Sequence, residues 1–74
     1  MSVEKLRRVL WRLRSMRPGQ DSFTRPELER AIMYECGTSP LTYRRNRLAL
    51  VKLQWMRRKK NGWVRLTGKD LAES

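Results

Sequence analysis

The densest chemistry in this 74-residue chain is cationic. Arg57-Arg58-Lys59-Lys60 runs straight into Asn61-Gly62, and Arg44-Arg45-Asn46-Arg47 forms a second cluster upstream. Guanidinium and ammonium groups at this density bind the oxygens of phosphates or carboxylates, and arginine can do so through two parallel N–H donors. Their distribution matters more than their total. From Cys36 to Lys69 there are ten basic residues and no acid, within a chain whose formal net charge is +11. Such a stretch cannot neutralise itself by local ion pairs, and its self-repulsion costs stability that a polyanionic partner would restore. Residues 1–35 are mixed instead, with eight basic and five acidic side chains.

Other chemistries are poorly supplied. There is no histidine, which removes the commonest general base, the Ser-His-Asp and Cys-His nucleophile systems and His-ligated metals. A lone cysteine, Cys36, makes neither an intrachain disulfide nor a cysteine-cluster zinc site, and is read as a small buried apolar residue. Only seven carboxylates are present and no pair stands out. No catalytic residue, metal ligand or cofactor is therefore expected. The longest apolar run, Leu48-Ala49-Leu50-Val51, falls far short of the roughly 20 residues of a membrane span. Arginines scattered through residues 1–20 argue against a secretory signal. The expectation is a cytoplasmic, non-enzymatic, basic binding module, nucleoid-associated if the source is prokaryotic or viral, with no membrane association.

The elements that must position the cations follow from periodicity and punctuation. Ser2 as N-cap and Glu4 in the first turn open a helix over 3–16, whose apolar stripe is Val3, Leu6, Leu10 and Leu13, widened by Val9 and Met16. Trp11 lies off that stripe and is the candidate for contact with a protein partner. Pro18-Gly19 marks a loop, and Phe23 an isolated apolar position in a very short strand. Thr24 and Glu27 have capping-box spacing ahead of a helix over 26–36, which buries Leu28, Ala31, Ile32 and Cys36 and ends at Gly37 in a left-handed conformation. Ser39 as N-cap and Pro40 at the first helical position start a third helix over 40–54. Residues 55–67 read as two short strands about Asn61-Gly62, the preferred pair for a two-residue type I′ turn. A short turn over 68–73 closes the single domain, 1–74.

Helix, helix-turn-helix and basic hairpin in that order resemble the winged-helix DNA-binding family. The resemblance is carried by the turn Cys36-Gly37-Thr38-Ser39-Pro40, the arginine-rich helix after it, the Asn61-Gly62 tip and Val64-Arg65-Leu66-Thr67, which is similar to the Leu-Thr ending after the wing strand. It implies a mainly α fold with a small β-hairpin, three helices plus a wing, with the third helix in the major groove of double-stranded DNA and the wing on backbone or minor groove. A small transcriptional regulator is the function this implies, with homodimerisation on DNA left open. The chain departs from the family at the junction of third helix and wing, where Gln54-Trp55-Met56 stands in place of the usual glycine. The family also holds RNA-binding and protein-binding members, so an RNA-binding or ribosome-associated module and an adaptor for an acidic protein surface stay as alternatives.

A helical wheel assigns roles along the third helix. At about 100° per residue, Thr42, Arg45, Ala49 and Lys52 share one arc with Asn46 at its border, while Leu41, Tyr43, Leu48, Leu50 and Val51 are left to face the core. Thr42, Arg45, Asn46 and Ala49 are the base-reading candidates, since arginine suits guanine, asparagine suits adenine and alanine permits close approach. Ser39, Arg44, Arg47, Lys52, Arg57, Arg58, Lys59, Lys60 and Asn61 are the phosphate candidates. Trp55 is assigned to the core, and Trp63 to packing under the wing, with stacking on a nucleic-acid sugar or base as its alternative.

Overall fold

The computed structural model describes residues 3–72. Ser2, expected to cap the first helix, and Glu73, at the end of the expected C-terminal turn, lie outside the described residues. Helix α1 spans Val3–Met16, strand β1 Ser22–Phe23, α2 Arg25–Cys36 and α3 Pro40–Lys52. Strands β2 (Met56–Arg58) and β3 (Val64–Leu66) follow, joined by a 3-10 turn at Lys60–Gly62, and α4 covers Lys69–Ala72. The molecule is mainly helical, with a three-stranded antiparallel sheet in the order β1-β3-β2.

Helices α1 and α2 bury the faces their spacing dictates. α1 buries Leu6, Val9, Leu10 and Leu13, a stripe at spacings of three and four. Val3 and Met16, the ends of the expected stripe, stay exposed because they overhang the core. In α2, Leu28, Ala31 and Ile32 are buried and Cys36 is half-buried against the same cluster. Burial pushes the Cys36 thiol above its ordinary pKa, as suits a packing residue. The capping box forms in full: the Thr24 hydroxyl accepts from the Glu27 backbone N–H, and the Glu27 carboxylate accepts from the Thr24 N–H at 2.9 Å. Gly37 ends α2 with φ +128° and ψ +168°, an extended glycine conformation rather than the expected left-handed helical one. Phe23, Leu50, Trp55, Met56, Val64 and Leu66 complete the core.

The junction of α3 with β2 explains how glutamine replaces glycine. The Gln54 N–H donates to the Val51 carbonyl and the Trp55 N–H to the Leu50 carbonyl, the paired bonds of a Schellman motif. Its left-handed position is Gln54, with φ +62°. Leu50 and Trp55, the residues that such a motif brings together, are both buried. Packing of that large indole holds a backbone conformation that costs an ordinary L-residue about 1 kcal/mol.

The hairpin differs from expectation in its register. Met56 pairs with Leu66, Arg57 with Arg65 and Arg58 with Val64. The Lys59 N–H donates to the Trp63 carbonyl at 2.7 Å, leaving Lys60, Asn61 and Gly62 as a three-residue tip instead of a two-residue turn. Asn61 and Gly62 do take positive φ, as their types require. The register is set by burial: a tip of two residues would place Arg57 opposite Leu66 and pull Met56 from its apolar partner.

Candidate nucleic-acid interface

Ion pairing divides the surface into two regions. Among the described residues, five carboxylates pair with arginines outside α3 and outside the segment Arg57–Lys60: Arg12 with Glu35, Arg14 with Asp70, Arg17 with Glu27, Arg25 with Glu29 and Arg65 with Asp21. Hydrogen bonding to the Thr24 backbone, opposed by burial and aided by Arg17, holds the Glu27 carboxyl below its usual pKa. No basic residue of α3 or of the segment Arg57–Lys60 forms an ion pair among the described residues. Within the acid-free stretch, the cations of α3 and of Arg57–Lys60 are thus left without a carboxylate partner among the described residues, whereas Arg65 pairs with Asp21.

α3 presents Leu41, Arg44, Arg45, Leu48 and Lys52 to solvent. This outward stripe is rotated by roughly 60° from the arc expected from sequence. Leu41 and Leu48, expected in the core, are exposed. Among the expected base readers only Arg45 faces out; Thr42 is half-buried and Ala49 packs partly against the core. Asn46 is corrected outright. It is 8% exposed, its amide nitrogen donates to the Thr42 carbonyl at 2.8 Å, and its amide oxygen accepts from Cys36 Sγ at 3.5 Å. It fastens α3 to α2 and is buried away from the face that could meet a base. The expected wheel failed because it placed every leucine inward, whereas a polar residue with satisfied bonds took the core-facing position.

The phosphate candidates sort by face. Ser39 is engaged as N-cap, its hydroxyl accepting from the Leu41 N–H at 3.2 Å. Arg44 and Lys52 are exposed on α3, and Arg47 is half-buried beside Tyr43. Strand alternation turns Arg58 to the same side as the buried Met56 and Val64, toward α3, and Arg57 to the opposite side with Arg65. The two like charges are eased by Asp21, whose carboxylate accepts from Arg65 Nε at 3.1 Å. Arg57 therefore stands apart from the α3 cations. Lys59 donates to Ser22 Oγ at 3.3 Å, and Lys60 and Asn61 are exposed at the tip.

Sequence reasoning missed Arg25 at this surface and favoured the packed reading for Trp63. Arg25, in the first turn of α2, stacks on Tyr43 of α3, with its guanidinium carbon 5.8 Å from the ring centroid. Trp63, expected under the wing or stacked on nucleic acid, is 37% exposed and lines the same cleft as Tyr43 and Arg58. Neither has a local sequence signal, since both contacts join distant segments. Trp55 is in the core as expected. Trp11 is 67% exposed on α1, beside Arg8, Arg12 and Leu71.

Among the described residues, no cluster of His, Cys, Asp or Glu could hold a metal ion, and no helix is long and apolar enough to cross a membrane. Comparison with protein families, curated proteins and solved structures finds no match to this chain.

Proposed function

We propose that this chain is a winged helix-turn-helix domain that binds double-stranded DNA without catalysing a reaction, as a small transcriptional regulator or accessory DNA-binding factor. The single observation that carries the reading is the cationic surface of α3 and Arg58–Lys60, no member of which forms an ion pair among the described residues, while five carboxylates elsewhere pair with arginines. The element order, the sheet order β1-β3-β2 and the positive φ at Gln54 support the winged-helix assignment. α3 enters the major groove with Arg44 and Arg45 toward guanine edges and phosphates. Leu41 and Leu48 on the same face suit thymine methyl groups. Arg58, Lys59 and Lys60 grip the backbone from the hairpin.

The test is competition for a labelled duplex by random duplex DNA, structured RNA and heparin at physiological salt. Preferential competition by duplex supports the reading. Equal competition by all three reduces the surface to a non-specific cation, and preference for RNA moves the RNA-binding alternative ahead.

A further inference from the structure

We propose that the cleft between the start of α2, α3 and the hairpin is a discrete seat for a single phosphate group. The proposal deepens the duplex reading and rests on it for the source of that phosphate, the nucleic-acid backbone. The cleft has a volume of about 130 Å³ and is lined by Arg25, Tyr43, Arg47, Arg58, Lys59 and Trp63.

Two features separate it from an ordinary basic patch. The first is unmet hydrogen bonding: the Tyr43 hydroxyl and Arg47 Nε are both buried, and neither meets a partner among the described residues. Arginine Nε is a donor only, and the phenol can also donate, so one group bearing several acceptor oxygens would satisfy both. The second is converging charge. The Arg25 and Arg47 guanidinium carbons each lie 5.8 Å from the Tyr43 ring centroid. Arg58 is turned into the same space by strand alternation. The nearby carboxylate, Glu29, is already engaged by Arg25 Nε at 3.2 Å on the exposed side.

Donors thus arrive from α2, α3 and the hairpin, in more than one plane. A planar carboxylate is satisfied by one guanidinium fork, whereas a tetrahedral phosphate takes donors from several directions. Phosphate chemistry is therefore favoured over an acidic side chain of a protein. Seating it would also tie the hairpin to α3, because the oxygens would be shared between Arg47 and Arg58.

The test titrates inorganic phosphate into the full chain at constant ionic strength, following Arg Nε–H and Trp indole N–H resonances. The Arg47 and Trp63 signals are expected to move together along one saturating curve, with chloride and acetate producing no such curve. Tyr43→Phe removes only the hydroxyl. It is expected to weaken phosphate binding by about tenfold, a single bond to a charged group, while its melting temperature stays level or rises. Shifts that never saturate and spread over every exposed arginine would overturn the seat, and saturation by acetate alike would give the cleft to an acidic protein. A second arm uses duplexes neutralised by methylphosphonate at one backbone position at a time. One position should weaken the natural chain far more than Tyr43→Phe; no such position overturns the backbone as the source. Loss of duplex binding with phosphate saturation retained would sink the DNA reading alone.

Discussion

Asp70→Asn should unfasten α4 from α1, and its cost can be worked from the contacts. Arg14 Nη1 and Nη2 donate to the two Asp70 carboxylate oxygens at 2.7 and 2.9 Å, and Arg7 Nη1 donates to the Asp70 backbone carbonyl at 2.7 Å. The Asp70 side chain is 4% exposed and that of Arg14 25%. Asparagine keeps the volume and one acceptor oxygen but loses the charge and half of the bidentate pair. A charge-assisted bond contributes about 1.5–3 kcal/mol, and Arg14 can partly rehydrate, so a loss of about 2 kcal/mol is expected. For a domain of this size that lowers the melting temperature by roughly 8–16 °C. Acid adds a second signature. Burial pushes the Asp70 carboxyl up, but the hydrogen bond and charge of Arg14 outweigh it and hold its pKa below the usual carboxylate value. The pair's stabilisation is therefore complete above about pH 4 and disappears as the pH falls through the lower folded value. Thermal melts from pH 7 down to pH 2 should show the gap between the two proteins closing at the acid end. A variant melting within a degree or two of the natural chain at pH 7, with a parallel acid profile, would refute the reasoning.

Three further substitutions test the local account. Gln54→Gly should raise stability by about 0.5–1 kcal/mol in chemical denaturation, because glycine takes the left-handed position of the Schellman motif without strain; the lost Lys69 bond to Gln54 Oε1 is exposed and offsets little. A drop in stability would place the cost of that junction elsewhere. Asn46→Ala should cost about 1–2 kcal/mol of stability, since it removes the side-chain bonds to Thr42 and Cys36 from a buried position, while leaving the ratio of specific to random duplex affinity unchanged. A collapse of that ratio in a stably folded variant would return Asn46 to the reading face. Leu50→Ala, at the centre of the core, should cost about 2–5 kcal/mol and bring the chain near its unfolding limit.

Much of this fold was legible because local signals agreed with packing. The α1 stripe, the Thr24–Glu27 capping box and the Ser39-Pro40 start each rest on residues within a turn or two of one another. What was not legible depended on distant contacts. The register of the hairpin is set by Met56 against Leu66 and not by the turn preference of Asn-Gly. The rotation of α3 depends on Asn46 meeting Cys36 across the helix interface, which no hydrophobic wheel would choose. The cationic surface itself was visible as an acid-free run. Its division, with Arg58 toward α3 and Arg57 away, required the strand register. The cleft at Tyr43 needed three segments brought together by the fold, and composition alone carries no trace of it.

The central claim is that α3 and the hairpin hold duplex DNA through unpaired cations. The salt dependence of duplex affinity tests it most directly, measured for the natural chain, for Lys59→Ala with Lys60→Ala, and for Arg57→Ala. Each phosphate contact contributes about 0.9 to the slope of log affinity against log salt. The account predicts that the double variant loses up to about 1.8 of that slope on every duplex alike while keeping its preference for the specific site. Arg57→Ala, on the opposite face of the sheet, should leave the slope nearly unchanged. A double variant whose slope matches that of the natural chain would contradict the account, as would a larger loss on removing Arg57.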